Sequence, residues 1–380
     1  MRTEVTPVRR VRVDGAAIVY RLFDIGYAIR LDDAMRRLAP NTAARARPSR
    51  SEAQAIQIAN PPISVTLGVE RIVVGATSYD AEISARLFDF GVCSLRIQCH
   101  APVGIDWNDF ADFGAAIDDP SLLSAHFERH LNMLLTRIAA AIDRPFTSPV
   151  TEDFVVFRLT SISERAADGR VTPLSIHALS DDDLARLLLQ ERRRLSDAAK
   201  RELLPRRFSY YDNDLTVLTW DNALVVDERA QDEDVQYILE FANAQLLELR
   251  VYDALLDAQL PAMYERIAAA RTTRLPIFDR SVRQILAGLQ TRVADITEPV
   301  ERVENALKVT DDVYLARIYA AALDIFRERE WRTGIDRKLT IIRDTYMMLN
   351  SETQTLRAEL LEVAIVLLIV AELVLLIIQH

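Results

Sequence analysis

The sequence predicts an α+β fold: an N-terminal, mostly antiparallel sheet with helices on one face, followed by long antiparallel or coiled-coil helices and one C-terminal transmembrane helix. Three observations predict it. Short β-rich segments broken by Gly or by Asp-Asn turns fill the first half, apolar residues then recur every three or four positions, and the chain ends in an apolar run. The predicted regions are an N-terminal strand with a basic flexible loop (1–60), an α+β domain (61–230), a helical, coiled-coil region (231–359) and an anchor (360–380).

The composition excludes several classes of protein. The chain has 380 residues, a formal net charge of −10, 50% hydrophobic residues and two cysteines. This length fits two or three domains, whereas collagen, low-complexity chains and disulfide scaffolds do not fit the composition. The negative net charge argues against a globally basic nucleic-acid binder. Cys93 and Cys99 suit a reducing compartment.

Apolar alternation and turn residues place the elements of the N-terminal half. One hexapeptide recurs there: R-L-F-D-I-G at 21–26 returns as R-L-F-D-F-G at 86–91, which fits either an internal repeat or two similar strand-turn units. The expected strands are 16–31, several within 63–99, 154–162 and three within 208–226; the expected helices are 32–38, 121–142 and 181–203, with the basic loop at 39–53.

The C-terminal part of the chain has a helical pattern. One apolar stripe runs along 235–267, a second along 282–307 and a third along 339–360, each with steps of three and four residues. The third stripe resembles coiled-coil heptads. Short connections between such helices imply antiparallel hairpins. The third stripe predicts a homo-oligomer with Leu349 and Leu356 in its seam, although an intramolecular hairpin with the 282–307 stripe would also cover it.

The C-terminal tail has the length and apolarity of a membrane span. Leu360–Ile378 covers 19 residues, or about 28 Å at 1.5 Å per residue, against a hydrocarbon core of about 30 Å. Apolar residues cover every face of this helix, which favours a membrane span over a helix buried in a bundle. Because basic residues precede the tail, we expect a tail-anchored protein of the cytoplasmic membrane with the bulk of the chain in the cytoplasm.

Two carboxylates mark this tail. Glu362 stands near its start, and Glu372 lies ten residues further on, near the expected middle of the membrane. Carboxylates at that depth usually face a bundle interior and have partners, so Glu372 favours self-association of the tails over a single tolerated, protonated residue. The expected partners are therefore the membrane and a second copy of the chain.

The sequence contains no established catalytic or cofactor motif. A Walker motif, a dinucleotide-binding glycine motif, a G-x-S-x-G elbow and a C-x-x-C pair are all absent, so we expect no cofactor and assign no catalytic residue. His126 and His130 stand four residues apart in H-F-E-R-H and could share one helix face with a metal. Two ligands are too few, however, and a solvated helix surface is favoured.

One basic segment is a candidate contact for RNA or for anionic lipid. Residues 190–207 carry seven cations against three carboxylates, and a local excess of positive charge attracts phosphate groups. A solvated, charged helix is the commoner explanation of such a run. The candidate contact residues are Arg192, Arg193, Arg194, Arg206 and Arg207.

Two internal segments and the tail carry a family resemblance. The segments are T-W-D-N-A-L-V-V-D-E at 219–228 and L-E-F-A-N-A-Q-L-L-E-L-R-V-Y-D at 239–253, and the tail has Glu362 and Glu372 ten residues apart. They resemble the YagE-like family, also called required for meiotic nuclear division, although Val363 stands in place of the family's Trp. The resemblance implies an α+β region, long helices, one terminal membrane span and a role near ribosomes, and it carries over no catalytic residue.

These observations together predict a non-enzymatic, membrane-anchored scaffold or interaction protein. Its cytoplasmic α+β domain would bind a protein or ribonucleoprotein partner, and a ribosome-related role is implied by the resemblance. An enzyme with a noncanonical site in the α+β domain is the alternative, which bound metal or nucleotide in the purified protein would favour.

Overall fold

The chain divides into two units. The computed structural model describes residues 11–38, 43–45, 60–165, 170–204, 206–228, 233–271 and 313–378. Unit 1 comprises Met1–Glu248 and Arg302–Arg329, and unit 2 comprises Leu249–Glu301 and Glu330–His380. Most of the predicted basic loop and the whole second apolar stripe, 282–307, lie outside the described residues.

Unit 1 is built on one large sheet and a separate two-stranded pair. Its described strands are β1 (Val11–Asp24), β2 (Gly26–Ile29), β3 (Ala43–Arg45), β4 (Ile63–Val74), β5 (Thr77–Leu87), β6 (Val92–His100), β7 (Ile105–Asp106), β8 (Ile142–Pro145), β9 (Thr151–Arg165), β10 (Val171–Pro173), β11 (Arg206–Phe208), β12 (Leu215–Leu218) and β13 (Asn222–Val226). Along the sheet the order is β11-β12-β13-β9-β1-β6-β5-β4-β3, with β10 beside β9 and β7 beside β1, while β2 pairs with β8.

The sheet is mixed, and the prediction of an α+β fold is confirmed. Among the described strands, only β9 and β13 pair in parallel. The central strands β1 and β9 are buried along most of their length because helices cover both of their faces. The predicted strands within 63–99 are β4, β5 and β6.

The described part of unit 1 has five further helices. They are α1 (Leu31–Arg37), α2 (Trp107–Ile117), α3 (Pro120–Ile138), α4 (Asp181–Leu188) and α5 (Asp197–Leu203). All of them except α5 contribute side chains to the core on one face of the sheet. Phe110 of α2 and Phe127 of α3 share this core with Phe157 of β9. The sequence pattern missed α2, and the helix predicted at 181–203 is two helices, α4 and α5. Each of these two begins at a serine cap, which accepts a backbone hydrogen bond three residues on.

The other face of the sheet is also covered, so the expectation of helices on one face is wrong. Its helices are α6 (Asp234–Arg271) and α7 (Val313–Ile325), and a last helix, α8 (Glu328–Ile378), follows. Within unit 1, Phe241 of α6 packs edge-on against Phe88 and Phe90. The hydroxyl of Tyr314 in α7 lies 3.3 Å from Thr216 Oγ1. Residues 236–248 of α6 are all buried, which makes this part of α6 a central element of unit 1.

A buried ion pair joins α6 to the sheet. Arg86 of β5 donates a hydrogen bond to Glu240 of α6, and the Glu240 side chain is 2% exposed. The guanidinium of Arg86 also lies 4.7 Å from the ring centroid of Tyr237, one turn earlier on α6. Burial raises the pKa of Glu240, and the charge of Arg86 opposes this rise. Neither charge can be removed alone without leaving the other one buried and uncompensated.

Unit 2 contains the C-terminal part of α6 and most of α8. Lys338 of α8 forms ion pairs of 2.6 Å with both Asp253 and Asp257 of α6. Burial lowers the pKa of Lys338, but the hydrogen bonds to these two carboxylates raise it overall. Leu339 and Ile342, the first two residues of the third predicted stripe, are buried. The stripe therefore has a covered face where the structure describes it.

The predicted transmembrane helix is wrong. Helix α8 continues through the tail to Ile378, but among the described residues no helix is apolar over a length that could cross a membrane. The tail side chains that the structure describes, 361–371, are exposed. The predictions of a tail-anchored protein and of a single C-terminal span in the cytoplasmic membrane are therefore wrong as well.

The two R-L-F-D-x-G segments meet in space. The backbone N–H of Ile25 donates to the carbonyl of Gly91 over 3.1 Å. Gly91 has a φ of 102°, and a Cβ at this position would overlap the carbonyl oxygen of Gly26, so only glycine fits. Asp24, beside this crossing, is buried, and within the described residues its Oδ2 has no hydrogen-bond partner. Burial raises the pKa of Asp24 to about 7.

We predict that Glu240→Leu lowers the free energy of unfolding by about 3–5 kcal/mol, because it leaves Arg86 buried without its carboxylate. The double variant with Arg86→Met should regain most of this loss. Urea unfolding followed by circular dichroism measures both changes. Asp80→Leu and Arg71→Met, an exposed pair 3.6 Å apart on β5 and β4, are the matched control, with changes below about 1 kcal/mol. A Glu240→Leu variant as stable as the native chain would contradict the role of the pair.

We predict that Asp24→Asn removes a pH dependence of stability. Because the folded-state pKa of Asp24 is raised to about 7, its contribution is full below the unfolded pKa and is lost as pH rises through 7. Between about pH 5 and about pH 8.5 the native chain should lose about 2–3 kcal/mol through this group. Asp24→Asn should lose correspondingly less, and the exposed Asp80→Asn should follow the native chain. Parallel pH profiles for all three proteins would refute the assignment.

Candidate functional site

The face of the sheet toward α6 carries a column of polar side chains on β6. Along β6 the residues alternate strictly, so that one set points to the apolar core beneath α2 and α3 and the other toward α6. The second set is polar at four successive positions. Its members are Ser94, Arg96, Gln98 and His100.

A gap opens in this face at the end of β6. Ala16 of β1 lies opposite His100 on one side and opposite Arg158 of β9 on the other. The methyl group of Ala16 is much smaller than the side chains of Arg158 and His100 on either side of it. Ala16 therefore forms a low floor, with a guanidinium on one wall and an imidazole on the other.

The gap is a cleft of about 450 Å³. Polar and apolar groups both line it, and no residue of α6 is among them. The lining residues are Asp14, Gly15, Ala16, Gln98, His100, Ala101, Val103, Arg158 and Thr160. Its volume lies within the range of about 300–1,000 Å³ that is usual for small-molecule sites.

A β-bulge shapes the floor of the cleft. The register of β1 with β9 shifts between Asp14 and Gly15. A Cβ at Gly15 would collide with the carbonyl oxygen of Arg158, so this close approach requires glycine. The Asp14 carboxylate fixes the bulge, because it accepts hydrogen bonds of 2.6 Å from the backbone of Gly104 and from the Ser161 hydroxyl.

Glu233 connects the polar column to the start of α6. Arg96 donates two hydrogen bonds of 2.9 and 2.8 Å to the two carboxylate oxygens of Glu233. Arg158 Nη1 lies 4.0 Å from the same carboxylate. Burial raises the pKa of Glu233, but the hydrogen bond from Arg96 and the charges of the nearby arginines lower it overall. Glu233 is thus held as an anion between the two guanidinium groups.

A chain of hydrogen bonds leads from this carboxylate into the cleft. Arg96 donates to the Gln98 side-chain oxygen, and the amide nitrogen of Gln98 lies 3.0 Å from His100 Nε2. The exposed fraction rises along this chain from 16% for the Arg96 side chain to 56% for that of His100. The cleft is where the buried polar column reaches solvent.

The five predicted arginines lie near one another, but carboxylates compensate most of their charge. Arg192 and Arg194 form ion pairs of 3.5 Å with Asp112 and Asp182. The other charged contacts of this group are Arg206 with Asp324 and, at 2.7 Å, Arg207 with Asp181. Arg193 is exposed, and its backbone N–H donates to Glu191. The RNA or lipid contact stays a prediction.

The residues predicted for self-association are only partly described. Glu362 of α8 is exposed. The side chains of Leu349, Leu356 and Glu372 lie outside the described residues. The homo-oligomer therefore stays a prediction.

The two histidines of H-F-E-R-H do not lie on a solvated surface. His130 is buried, and its Nε2 lies 3.1 Å from Glu70 of β4, while His126 Nδ1 lies 2.9 Å from the other oxygen of that carboxylate. Arg129 donates to Glu70 as well. Among the described residues no group of three His, Cys, Asp or Glu side chains is arranged to hold a metal ion. The cluster instead joins α3 to β4.

The sequence analysis did not select any of the cleft residues. Ala16, His100 and Arg158 lie far apart along the chain and meet only through strand pairing. One signal was available, namely the polar residues at alternate positions 94–100 of a strand whose other positions are apolar. One face of such a strand is polar, and a purely apolar core does not cover a polar face.

The family described as "Uncharacterized protein MJ0711, N-terminal domain" matches residues 14–233. The chain belongs to this family. A relative, "Uncharacterized protein MJ0711" of Methanocaldococcus jannaschii, is 27% identical over 192 residues, which cover 50% of this chain and 58% of the relative. The chain thus aligns with little more than half of that relative's length. No solved structure matches the chain. Neither match links the chain to the YagE-like family, and that resemblance stays a prediction.

The match to the MJ0711 N-terminal family coincides with the cleft. It begins at Asp14, which fixes the bulge, and ends at Glu233, which joins Arg96 and Arg158. All residues that line the cleft lie inside it. Glu240 and the rest of α6 lie outside the matched residues, whereas the polar column lies within them.

Proposed function

We propose that the protein is a non-enzymatic binding protein whose unit 1 recognises its ligand or partner at the cleft above Ala16. The observation that carries this proposal is the convergence of Arg158, Gln98 and His100 on a floor of Gly15 and Ala16. Three strands of one sheet position these groups, and a rigid support of this kind favours specific recognition.

The remaining polar groups of the cleft favour binding over catalysis. The Asp14 carboxylate accepts two hydrogen bonds within the fold, and the Thr160 hydroxyl donates to the Asp14 carbonyl over 3.3 Å. Both groups therefore stabilise the bulge, which leaves no obvious nucleophile with an adjacent base among the lining residues. An enzyme that uses His100 as an acid or base is the alternative.

We predict that Ala16→Leu abolishes ligand binding, because it fills the floor of the cleft without removing a polar group. Saturation-transfer NMR of the full chain with a fragment library of neutral, cationic and anionic members tests this. Ser78→Leu, an exposed position in the β4–β5 hairpin, is the matched control and should bind as the native chain does. Fragments that bind all three proteins equally would contradict the proposal. Chemical conversion of a bound fragment would favour the enzyme.

A ribonucleoprotein partner is a second candidate, favoured by the exposure of the arginine run. The side chains of Arg192 and Arg194 are 77% and 83% exposed. Their ion pairs with Asp112 and Asp182 are long and solvated, so a phosphate could replace these carboxylates at a cost below about 1 kcal/mol each.

We predict that replacing Arg192, Arg193 and Arg194 with Gln weakens co-sedimentation of the full chain with purified ribosomes. If each arginine contacts a phosphate, the dependence of log affinity on log salt should become shallower by about 2–3. A control with Gln at the exposed Arg36, Arg37 and Arg71 removes the same charge elsewhere in unit 1. Equal effects of the two triple variants would show a dependence on net charge alone and would reject a specific contact.

A further inference from the structure

We infer that unit 1 binds one calcium ion in a small cavity at the start of α6, apart from the cleft above Ala16. The cavity has a volume of about 20 Å³, which is room for a single water molecule or a single ion. It lies between β12, the end of β13 and the first turns of α6 and α7. Its polar lining residues are Asp214, Thr216, Asp227, Asp234, Gln236 and Tyr314.

Gln236 is the residue that points to a bound group. It is 2% exposed, and within the described residues neither its amide oxygen nor its amide nitrogen has a hydrogen-bond partner. Burying an amide without a partner is costly, and such groups are rare in folded proteins. A ligand in the cavity that Gln236 lines would supply the missing partner.

The lining favours a positively charged ligand. Asp214 is 6% exposed, and one of its carboxylate oxygens accepts a hydrogen bond of 2.7 Å from the backbone N–H of Tyr210. Asp227 and Asp234 have further interactions in the fold, but a carboxylate offers about four acceptor positions and can bind an ion while it keeps another partner. None of the described residues that line the cavity is basic.

The two helix ends at the cavity do not reverse this preference. The first turns of α6 and α7 both contribute lining residues. A helix N-terminus carries about half a positive charge, which is less than the charge of one carboxylate. A cation is therefore favoured over an anion at this position.

Neutral oxygens complete the set of ligands. Within the described residues no three His, Cys, Asp or Glu side chains are arranged to hold a metal ion, so carboxylates alone do not form the site. The amide oxygen of Gln236 is one further ligand. Thr216 and Tyr314, whose hydroxyl oxygens lie 3.3 Å apart, line the cavity as well. Ca²⁺ binds such mixed sets of oxygens in irregular geometry.

Donor type and size select calcium among the common cations. The described lining contains no His or Cys, the ligands that zinc and other transition metals prefer. Mg²⁺ usually keeps several of its water molecules, and about 20 Å³ does not hold an ion together with several waters. Ca²⁺ is readily surrounded by protein oxygens, so it fits both the chemistry and the volume.

An ion at this position would join three separate parts of unit 1. Thr216 belongs to β12, Gln236 to the first turn of α6 and Tyr314 to the first turn of α7. Glu233, which pairs with Arg96 beside the cleft, directly precedes α6. Calcium would therefore stabilise the starts of both helices on the sheet.

Terbium luminescence and thermal unfolding of the full chain test the inference. Tb³⁺ replaces Ca²⁺ in oxygen sites and emits when a neighbouring tyrosine is excited, and Tyr314 lies at the cavity. We expect tyrosine-sensitised emission that Ca²⁺ displaces and that equal concentrations of Mg²⁺ or Na⁺ do not. Calcium at about 100 times its Kd should raise the Tm by at least about 5 °C relative to EDTA.

Gln236→Leu separates an ion site from a merely structural amide. The change removes the unpartnered polar atoms at similar volume, so in EDTA this variant should be at least as stable as the native chain. It should nevertheless lose the rise in Tm with calcium and bind Tb³⁺ at least about tenfold more weakly. Asp214→Asn keeps an oxygen for the N–H of Tyr210 and should also weaken Tb³⁺. Asp80→Asn, at an exposed position outside the cavity, should bind as the native chain does.

Three results would overturn the inference. The first is an equal response to Mg²⁺, and the second is a calcium response that Gln236→Leu and Asp214→Asn leave unchanged. The third is a native chain that shows no response to calcium or terbium, which would mean that the cavity holds water only. These outcomes leave the proposed function untouched, because the cavity and the cleft share no lining residue.

Discussion

Unit 1 depends on one constraint: the arginines buried in the middle of its sheet must each be paired with a carboxylate. Arg86 and Arg96 lie on neighbouring strands of the face beneath α6, with side chains only 13% and 16% exposed. A guanidinium cannot escape desolvation by losing its proton, so each must meet a carboxylate. Glu240 of helix α6 pairs with Arg86, and Glu233, the residue immediately before α6, pairs with Arg96. Because these pairs form in one register only, they set where α6 lies along the strands, while Phe241 and its aromatic neighbours supply the apolar contact.

The cleft follows from where α6 begins. The helix starts at Asp234, immediately after the carboxylate that satisfies Arg96. The next row of the sheet, with Ala16 between Arg158 and His100, receives no residue of α6. Its polar side chains therefore face an opening instead of a helix. Arg158 Nη1 lies 4.0 Å from the Glu233 carboxylate, so the cleft adjoins the same charged network that holds the start of α6.

Sequence patterns identified the elements whose signal is local. Strands β4 to β6 and helices α3 and α6 follow from alternation, helical spacing and flanking turn residues. Helix α2 was missed because its segment contains Gly114, whose presence is explained only by tertiary packing, since a Cβ there would crowd the ring of Phe157. The cleft could not be found by any local rule, since its three walls come from strands that are distant in sequence.

The residues matched by the family contain the polar column but not α6. The match includes the bulge, the three strands and Glu233, and it ends before Glu240. Arg96 and Arg158 therefore have their shared carboxylate within the family domain, whereas Arg86 depends on a residue of the following helix. The cleft is complete without α6, but the central sheet is not, because Arg86 and the ring of Phe88 would then face water. Helix α6 thus covers the part of the sheet that must be buried and leaves the exposed, ligand-sized opening uncovered.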